Sequence, residues 1–138
     1  MDDKENKAQD MYMEYQMLDQ QIKQLQKHLE VVTSQLMELS VTSNSLDEFE
    51  KIKSGKEIFV PLSSGIFAKA SIDSTSELLV NVGANVVVQK NVPSTKKLIH
   101  NQIGEIKKIH EQLVDDLEKL TSKAGQLETE LQKFMPQG

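Results

Sequence analysis

Three histidines (His28, His100 and His110) and the adjacent pair Asp115-Asp116 are the side chains of this 138-residue chain best suited to hold a metal or move a proton. Cysteine is absent, which excludes cysteine–zinc sites, thiol nucleophiles and disulfides and fits a reducing cytosolic setting. His110 falls on an apolar seam at a core heptad position, where a tolerated polar residue that sets register is the better reading than a ligand. His28 and His100 lie on other stretches. Adjacent helix residues point about 100° apart, so Asp115 and Asp116 cannot share one ion and read as a solvated face. Gly83-Ala84-Asn85 is not a phosphate loop, because no GxxxxGK[ST] motif follows and no helix starts there; a hairpin turn explains it. No Ser/His/Asp constellation sits on a pocket scaffold. The expectation is a protein that is not an enzyme and takes no cofactor or metal.

What remains is binding chemistry. Four of the six methionines, Met1, Met11, Met13 and Met17, lie in the first 17 residues, interleaved with Tyr12 and Tyr15. At the other end of the sequence stand Leu127, Leu131, Phe134 and Met135. Tyr12, Met13, Met17 and Met135 exceed what a two-helix seam can bury, and flexible, polarisable Met suits a surface that meets varied apolar partners. The alternative is a fraying helix end whose exposed apolar residues do nothing.

Charge narrows the partners. The net charge is −5, carried by residues 1–53, which hold 6 Lys against 11 Asp/Glu; residues 54–92 and 93–138 balance at 3 against 3 and 7 against 7. All the basic residues are Lys. An acidic, Arg-free chain argues against nucleic acid and anionic membranes. No apolar run approaches the roughly 20 residues that span a bilayer, and residues 1–30 are too charged for a signal peptide. The chain therefore reads as soluble and cytoplasmic.

The elements that must carry these groups are two helical arms around a strand-forming centre. Met11, Tyr15, Leu18, Ile22, Leu25, Leu29, Val32, Leu36 and Leu39 step by four and three residues, an unbroken coiled-coil seam. The spacing predicts a helix over 8–53, roughly 70 Å long. A kink or loosened turn is expected over residues 40–45, whose Ser, Thr and Asn favour local backbone bonds, with Leu46, Phe49 and Ile52 resuming at a changed phase. A matching seam, from Ile99 through Ile103, Ile106, His110, Leu113, Leu117, Leu120, Ala124, Leu127 and Leu131 to Phe134, predicts a helix over 93–135. Asn91, Ser94 or Thr95 can cap it, and Pro136 and Gly138 end it. The cheapest burial of both seams is against each other, as an antiparallel coiled coil in one domain spanning 1–138.

Residues 57–90 are rich in β-branched residues and read as two hairpins. Glu57 to Leu62 forms a first strand, with Pro61 marking an edge or bulge, and Ile66 to Ile72 pairs with it across Ser63-Ser64-Gly65. Leu78 to Val82 and Asn85 to Lys90 flank Gly83-Ala84. Alternation fails in Val86-Val87-Val88, so both faces of that strand are expected to be buried. Two isolated hairpins cannot bury such strands, and their open edges demand partners. Ile58, Val60, Ile66, Phe67, Ile72, Leu79, Val82, Val86, Val87 and Val88 are therefore read as an assembly hub.

The runs VPLSSGIFAKA at 60–70 and VNVGANV at 80–86, set between two long helices, resemble the α-class subunit of archaeal prefoldin over essentially the whole chain. The family pattern is close to VPxGxGxFxKA followed by VGAG. Ser63 and Asn85 stand where two of its glycines are expected. The resemblance implies an α+β, mainly α fold: a long antiparallel two-helix coiled coil joined by two central hairpins that form part of an oligomeric β-barrel. It implies a hexamer of two α-class and four β-class subunits, so a β-class partner and a second copy of the chain. It further implies an ATP-independent chaperone whose coiled-coil tips capture unfolded polypeptides and transfer them to a group II chaperonin. On that analogy Tyr12, Met13, Met17, Phe134 and Met135 are tip positions, and the seam residues Met11, Tyr15, Leu127 and Leu131 at the same end are read with them as the candidate substrate-binding tip. The reading from another class is a structural tether or spacer oligomerised through the β hub.

Overall fold

The computed structural model describes residues 3–134. Helix α1 (Asp3–Glu50) is followed by strands β1 (Glu57–Ser63), β2 (Ile66–Ser71), β3 (Leu78–Gly83) and β4 (Val86–Lys90) and by helix α2 (Val92–Phe134). The expected stops Pro136 and Gly138 lie outside the described residues.

Helix α1 begins earlier than the seam predicts. Asp3 and Glu5 occupy its first turn, where carboxylates favour the positive end of the helix dipole. It ends three residues short of the expected 53. There the Lys51 and Ile52 amides reach back only three residues, to the Glu48 and Phe49 carbonyls at 3.1 Å each. Gly55, at φ +87°, then turns the chain, and its amide donates to the Ile72 carbonyl. Residues 40–45, where the sequence predicts a kink or loosened turn, are helical throughout. The Thr42 hydroxyl donates to the Glu38 carbonyl at 2.9 Å, so this side chain is satisfied inside the helix instead of competing with it. Ser43 takes a half-buried seam position and Leu46 is buried three residues later, so the four–three phase continues unchanged to Leu46.

Helix α2 starts on a cap. The Asn91 carboxamide accepts the Ser94 amide at 2.8 Å, Pro93 fills an early position that requires no N–H partner, and the Thr95 hydroxyl donates to the Asn91 carbonyl at 2.8 Å.

The chain divides into two compact units. One joins α1 up to Leu36 with α2 from Ile106 onward. Its most buried side chains are Leu18, Val32, Leu113 and Ala124, all seam positions, while Met11, Tyr15, Ile22, Leu25, Leu29 and the α2 seam residues from Ile106 to Leu131 are at least half-buried. Glu14 pairs with Lys123 at 3.6 Å, and Leu25 and His28 share a groove with Asp116, Lys119 and Leu120. As numbers rise along α1 they fall along α2, so the helices run antiparallel in this unit.

The other unit, Met37–Glu105, holds the end of α1, the four strands and the start of α2. Leu46, Val92, Ile99 and the Thr95 side chain form its buried centre. Lys96 binds Asp47 and Glu50 at 2.7 Å each, tying the start of α2 to the last turn of α1.

The strands make two separate two-stranded antiparallel sheets, β1–β2 and β3–β4. They are the same module twice, offset by 20 residues. Val60 pairs with Ala68 and Pro61 with Phe67; Val80 pairs with Val88 and Asn81 with Val87. Each register slips at the same place, between Pro61 and Ser63 and between Asn81 and Gly83, leaving Leu62 and Val82 as the extra bulged residues. Even the cross-strand clasp recurs: Lys69 pairs with Glu57 at 2.9 Å, and Gln89 donates to Glu77 at 3.3 Å. The turns differ. Ser63 has no positive φ, whereas its counterpart Gly83 sits at φ +114° with its amide on the Asn81 carboxamide at 2.9 Å. Ser63 is therefore compatible with the first turn, where Gly65 alone, at φ +80°, takes the left-handed conformation. In the second turn Ala84 and Asn85 both have positive φ, 50° and 61°, the signature of a type I′ turn. Asn tolerates that conformation, but Ala pays roughly 1–2 kcal/mol for it.

Two consequences are measurable. Ala84→Gly relieves that cost, less the extra chain entropy of glycine, and should raise stability by up to about 1 kcal/mol in a thermal or urea melt. The second concerns pH. The hydrogen bond from Lys96, and then its charge, hold the Asp47 carboxyl below its ordinary 3.8; bonds to Asp47 and Glu50 hold the Lys96 ammonium above its ordinary 10.5. The Asp47 contribution is therefore present above 3.8 and lost as pH falls through its lowered value. The Lys96 contribution is present below 10.5 and lost as pH rises through its raised value. Asp47→Asn should lower the melting temperature at neutral pH, and the gap to the parent chain should close in acid below the carboxylate range.

Candidate functional site

The groups that could do bond chemistry are dispersed, and the two adjacent acids are each engaged by a neighbour. His110 is half-buried in the α2 seam, as its heptad position predicts. Asp115 pairs with Lys119 at 3.0 Å, and that bond raises the Lys119 pKa. Asp116 accepts instead from the Gln112 carboxamide at 2.9 Å, so the two adjacent acids serve different partners. The groove of about 560 Å³ lined by Gln21, Leu25, His28, Asp116, Lys119 and Leu120 thus brings an acid and a lysine already engaged by neighbours on α2. Among the described residues no cluster of three or more His, Asp or Glu could hold a metal ion. No helix there is long and apolar enough to cross a membrane.

Exposed apolar surface is the feature that stands out, and it concentrates in two places. On α1, Tyr12, Met13 and Met17 are open to solvent although the seam residues beside them, Met11 and Tyr15, are half-buried. None of the three is a seam position (Met11, Tyr15 and Leu18 are), and among the described residues nothing hides them from solvent. Leu127 and Leu131 are half-buried on α2, and Phe134, the last seam residue, is exposed. The antiparallel course of α1 and α2 in this unit, with Glu14 already paired to Lys123, brings Phe134 toward the end that carries the α1 cluster. Met135 lies outside the described residues.

Among the described residues, the hairpins carry eight of the sixteen exposed large hydrophobic side chains: Phe59, Leu62, Ile66, Phe67, Leu79, Val82, Val86 and Val87. One face of each hairpin is half-buried, through Ile58, Val60, Ala68 and Ala70 in the first and Leu78, Val80 and Val88 in the second, as is Ile72 just beyond β2. The other face is open, with Phe59 at 69% and Leu79 at 74% exposure at equivalent positions of the two modules. The burial expected on both faces of β4 is thus not supplied by the chain itself, since Val86 and Val87 remain exposed. Phe59 and Leu62 were not expected in the hub. Period-two alternation around Ile58 and Val60 could have located Phe59, and the 20-residue repeat locates both, as counterparts of Leu79 and Val82.

Outside these groups, Val31, Met37, Val41 and Ile109 are exposed singly or in pairs along the helices. Such scattered residues are ordinary on a protein surface.

Comparison with known proteins agrees with this architecture. A family profile described as "Prefoldin subunit" matches residues 18–137. The chain is 26% identical over 118 residues to "Prefoldin subunit alpha" of Thermofilum pendens, covering 86% of this chain and 92% of the relative. It is 31% identical over 109 residues to "Prefoldin subunit alpha" of Methanococcus maripaludis, covering 69% of this chain and 74% of the relative. The fold is similar to that in a cryo-EM structure of filamentous PFD from Methanocaldococcus jannaschii, at TM-score 0.73 and 19% identity, over 84% of this chain and 96% of that one. Two long helices joined by duplicated bulged hairpins, with the profile match across most of the sequence, place the chain in the prefoldin family as an α-class, chaperone-type subunit.

Proposed function

We propose that the chain works as an ATP-independent holdase subunit that captures non-native polypeptides on the exposed apolar residues of its coiled coil and passes them to a group II chaperonin. The observation that carries this reading is the Tyr12, Met13 and Met17 cluster, left uncovered by a helix whose own seam is already at least half-buried. Thioethers and an aromatic ring adapt to many apolar sequences. Each contact is weak, and several subunits acting on one client would combine them, because every added contact is effectively intramolecular. Leu127, Leu131, Phe134 and Met135 belong to the same proposed client surface. The reading assigns the chain no reaction and places it in the cytoplasm.

The hairpins are the proposed assembly surface, completed by β-class subunits and a second copy of this chain in a hexamer of two α-class and four β-class subunits. Two-stranded sheets with open edges and exposed Phe59, Phe67, Leu79 and Val87 favour this role. The filamentous state named for the solved relative makes a filament a second form to look for. Native mass spectrometry with and without a β-class subunit separates the two and tests whether this chain assembles alone.

A spacer protein would share the hairpins and helices but not the client surface. Two variants, each read by native mass and by light scattering of a refolding client, separate the roles. Replacing Tyr12, Met13 and Met17 together by Ser should leave the assembly mass unchanged while suppression of client aggregation falls several-fold. Val87→Asp, which puts a charge on the open face of β4, should break the assembly. Full protection by the Ser variant would refute the client reading, and a normal assembly mass for Val87→Asp would refute the hub.

A further inference from the structure

Without cysteine, the readily oxidised side chains of this protein are its methionines. The described residues include four: Met11, Met13, Met17 and Met37. Met11 is half-buried in the seam, whereas Met13 is 63%, Met17 61% and Met37 66% exposed. Met13 and Met17 are four residues apart on one helix, so their thioethers share a face of α1. Both belong to the cluster assigned above to client capture.

We propose that Met13 and Met17 form a peroxide-modifiable pair whose oxidation switches off client binding; the functional half of this proposal rests on the client reading given above. The thioether sulfur attacks one oxygen of hydrogen peroxide. The S–O bond forms as the O–O bond breaks, and the proton of the transferred hydroxyl passes to the departing hydroxide, which leaves as water. Sulfur is oxidised by two electrons and peroxide is reduced by the same two. The product sulfoxide is a polar hydrogen-bond acceptor. Covering it with an apolar client segment strips its water without replacement, an unfavourable exchange where the thioether made a favourable one. Both positions are solvent-facing, so α1 accommodates the added oxygens without repacking its seam. Met37 is equally exposed on the same helix but lies outside the cluster, so its oxidation is silent.

The test treats the full-length chain with hydrogen peroxide, removes the peroxide, and assembles the chain with untreated partner subunits. Peptide masses should show one added oxygen at Met13, Met17 and Met37 before Met11. Relative to its own untreated sample, aggregation suppression should fall several-fold for the parent chain and for Met37→Leu, stay unchanged by peroxide in the double variant Met13→Leu/Met17→Leu whatever that variant's untreated level, and return when methionine sulfoxide reductases reduce the treated chain. Full protection by a chain carrying both sulfoxides overturns the proposal, as does equal loss in the double variant. An untreated chain that never suppresses aggregation overturns the client reading and this proposal with it.

Discussion

A two-stranded β-ribbon has two edges and two faces and cannot close either pair on itself. This chain contains that unit twice, with no hydrogen bonding between the two sheets. Each hairpin half-buries one face, through Ile58 and Val60 or Leu78 and Val80, and leaves the other to solvent. An isolated hairpin is at best marginal in water. The same unit also contains buried Leu46 and Ile99, Lys96 bridging Asp47 and Glu50, and Asn91 capping α2 directly after β4. The open Phe59 and Leu79 faces remain for something outside the chain to cover.

The helical seams solve the opposite problem. Residues at four–three spacing give each helix one apolar stripe, and two antiparallel helices satisfy each other's stripes with little left over. That economy makes departures from it informative. Tyr12, Met13 and Met17 add apolar surface where the seam has no use for it, at a place where Gln, Glu or Lys would be as helical and more soluble. In the proposed client role, that excess is what would separate a binding helix from a merely structural one.

Much of this was legible in the sequence because it is periodic. The four–three spacing located both helices and the half-buried place of His110, and β-branched runs separated by turn residues located the four strands. Chemistry that works locally was harder to see. Residues 40–45 look like a helix breaker by composition, yet Thr42 bonds back to Glu38 and Ser43 sits in phase, so the helix continues. The duplicated module is hidden because its halves share bulge and register more than identity: Pro61 answers Asn81, Ser63 answers Gly83, and Lys69 answers Gln89. Only the pairing of strands reveals that Leu62 and Val82 are the same residue of the same device.

The central claim is a division of labour, with the hairpins joining subunits and the exposed residues of α1 holding clients. Site-specific photo-crosslinking tests it most directly. A photoreactive residue is placed in turn at Tyr12, Met13, Met17, Phe59 and Leu79 of the assembled protein, which is then exposed to a denatured client. Positions 12, 13 and 17 should capture the client, and positions 59 and 79 should capture neighbouring subunits whether or not client is present. Client captured at 59 or 79, or none captured at 12, 13 and 17, would contradict the account.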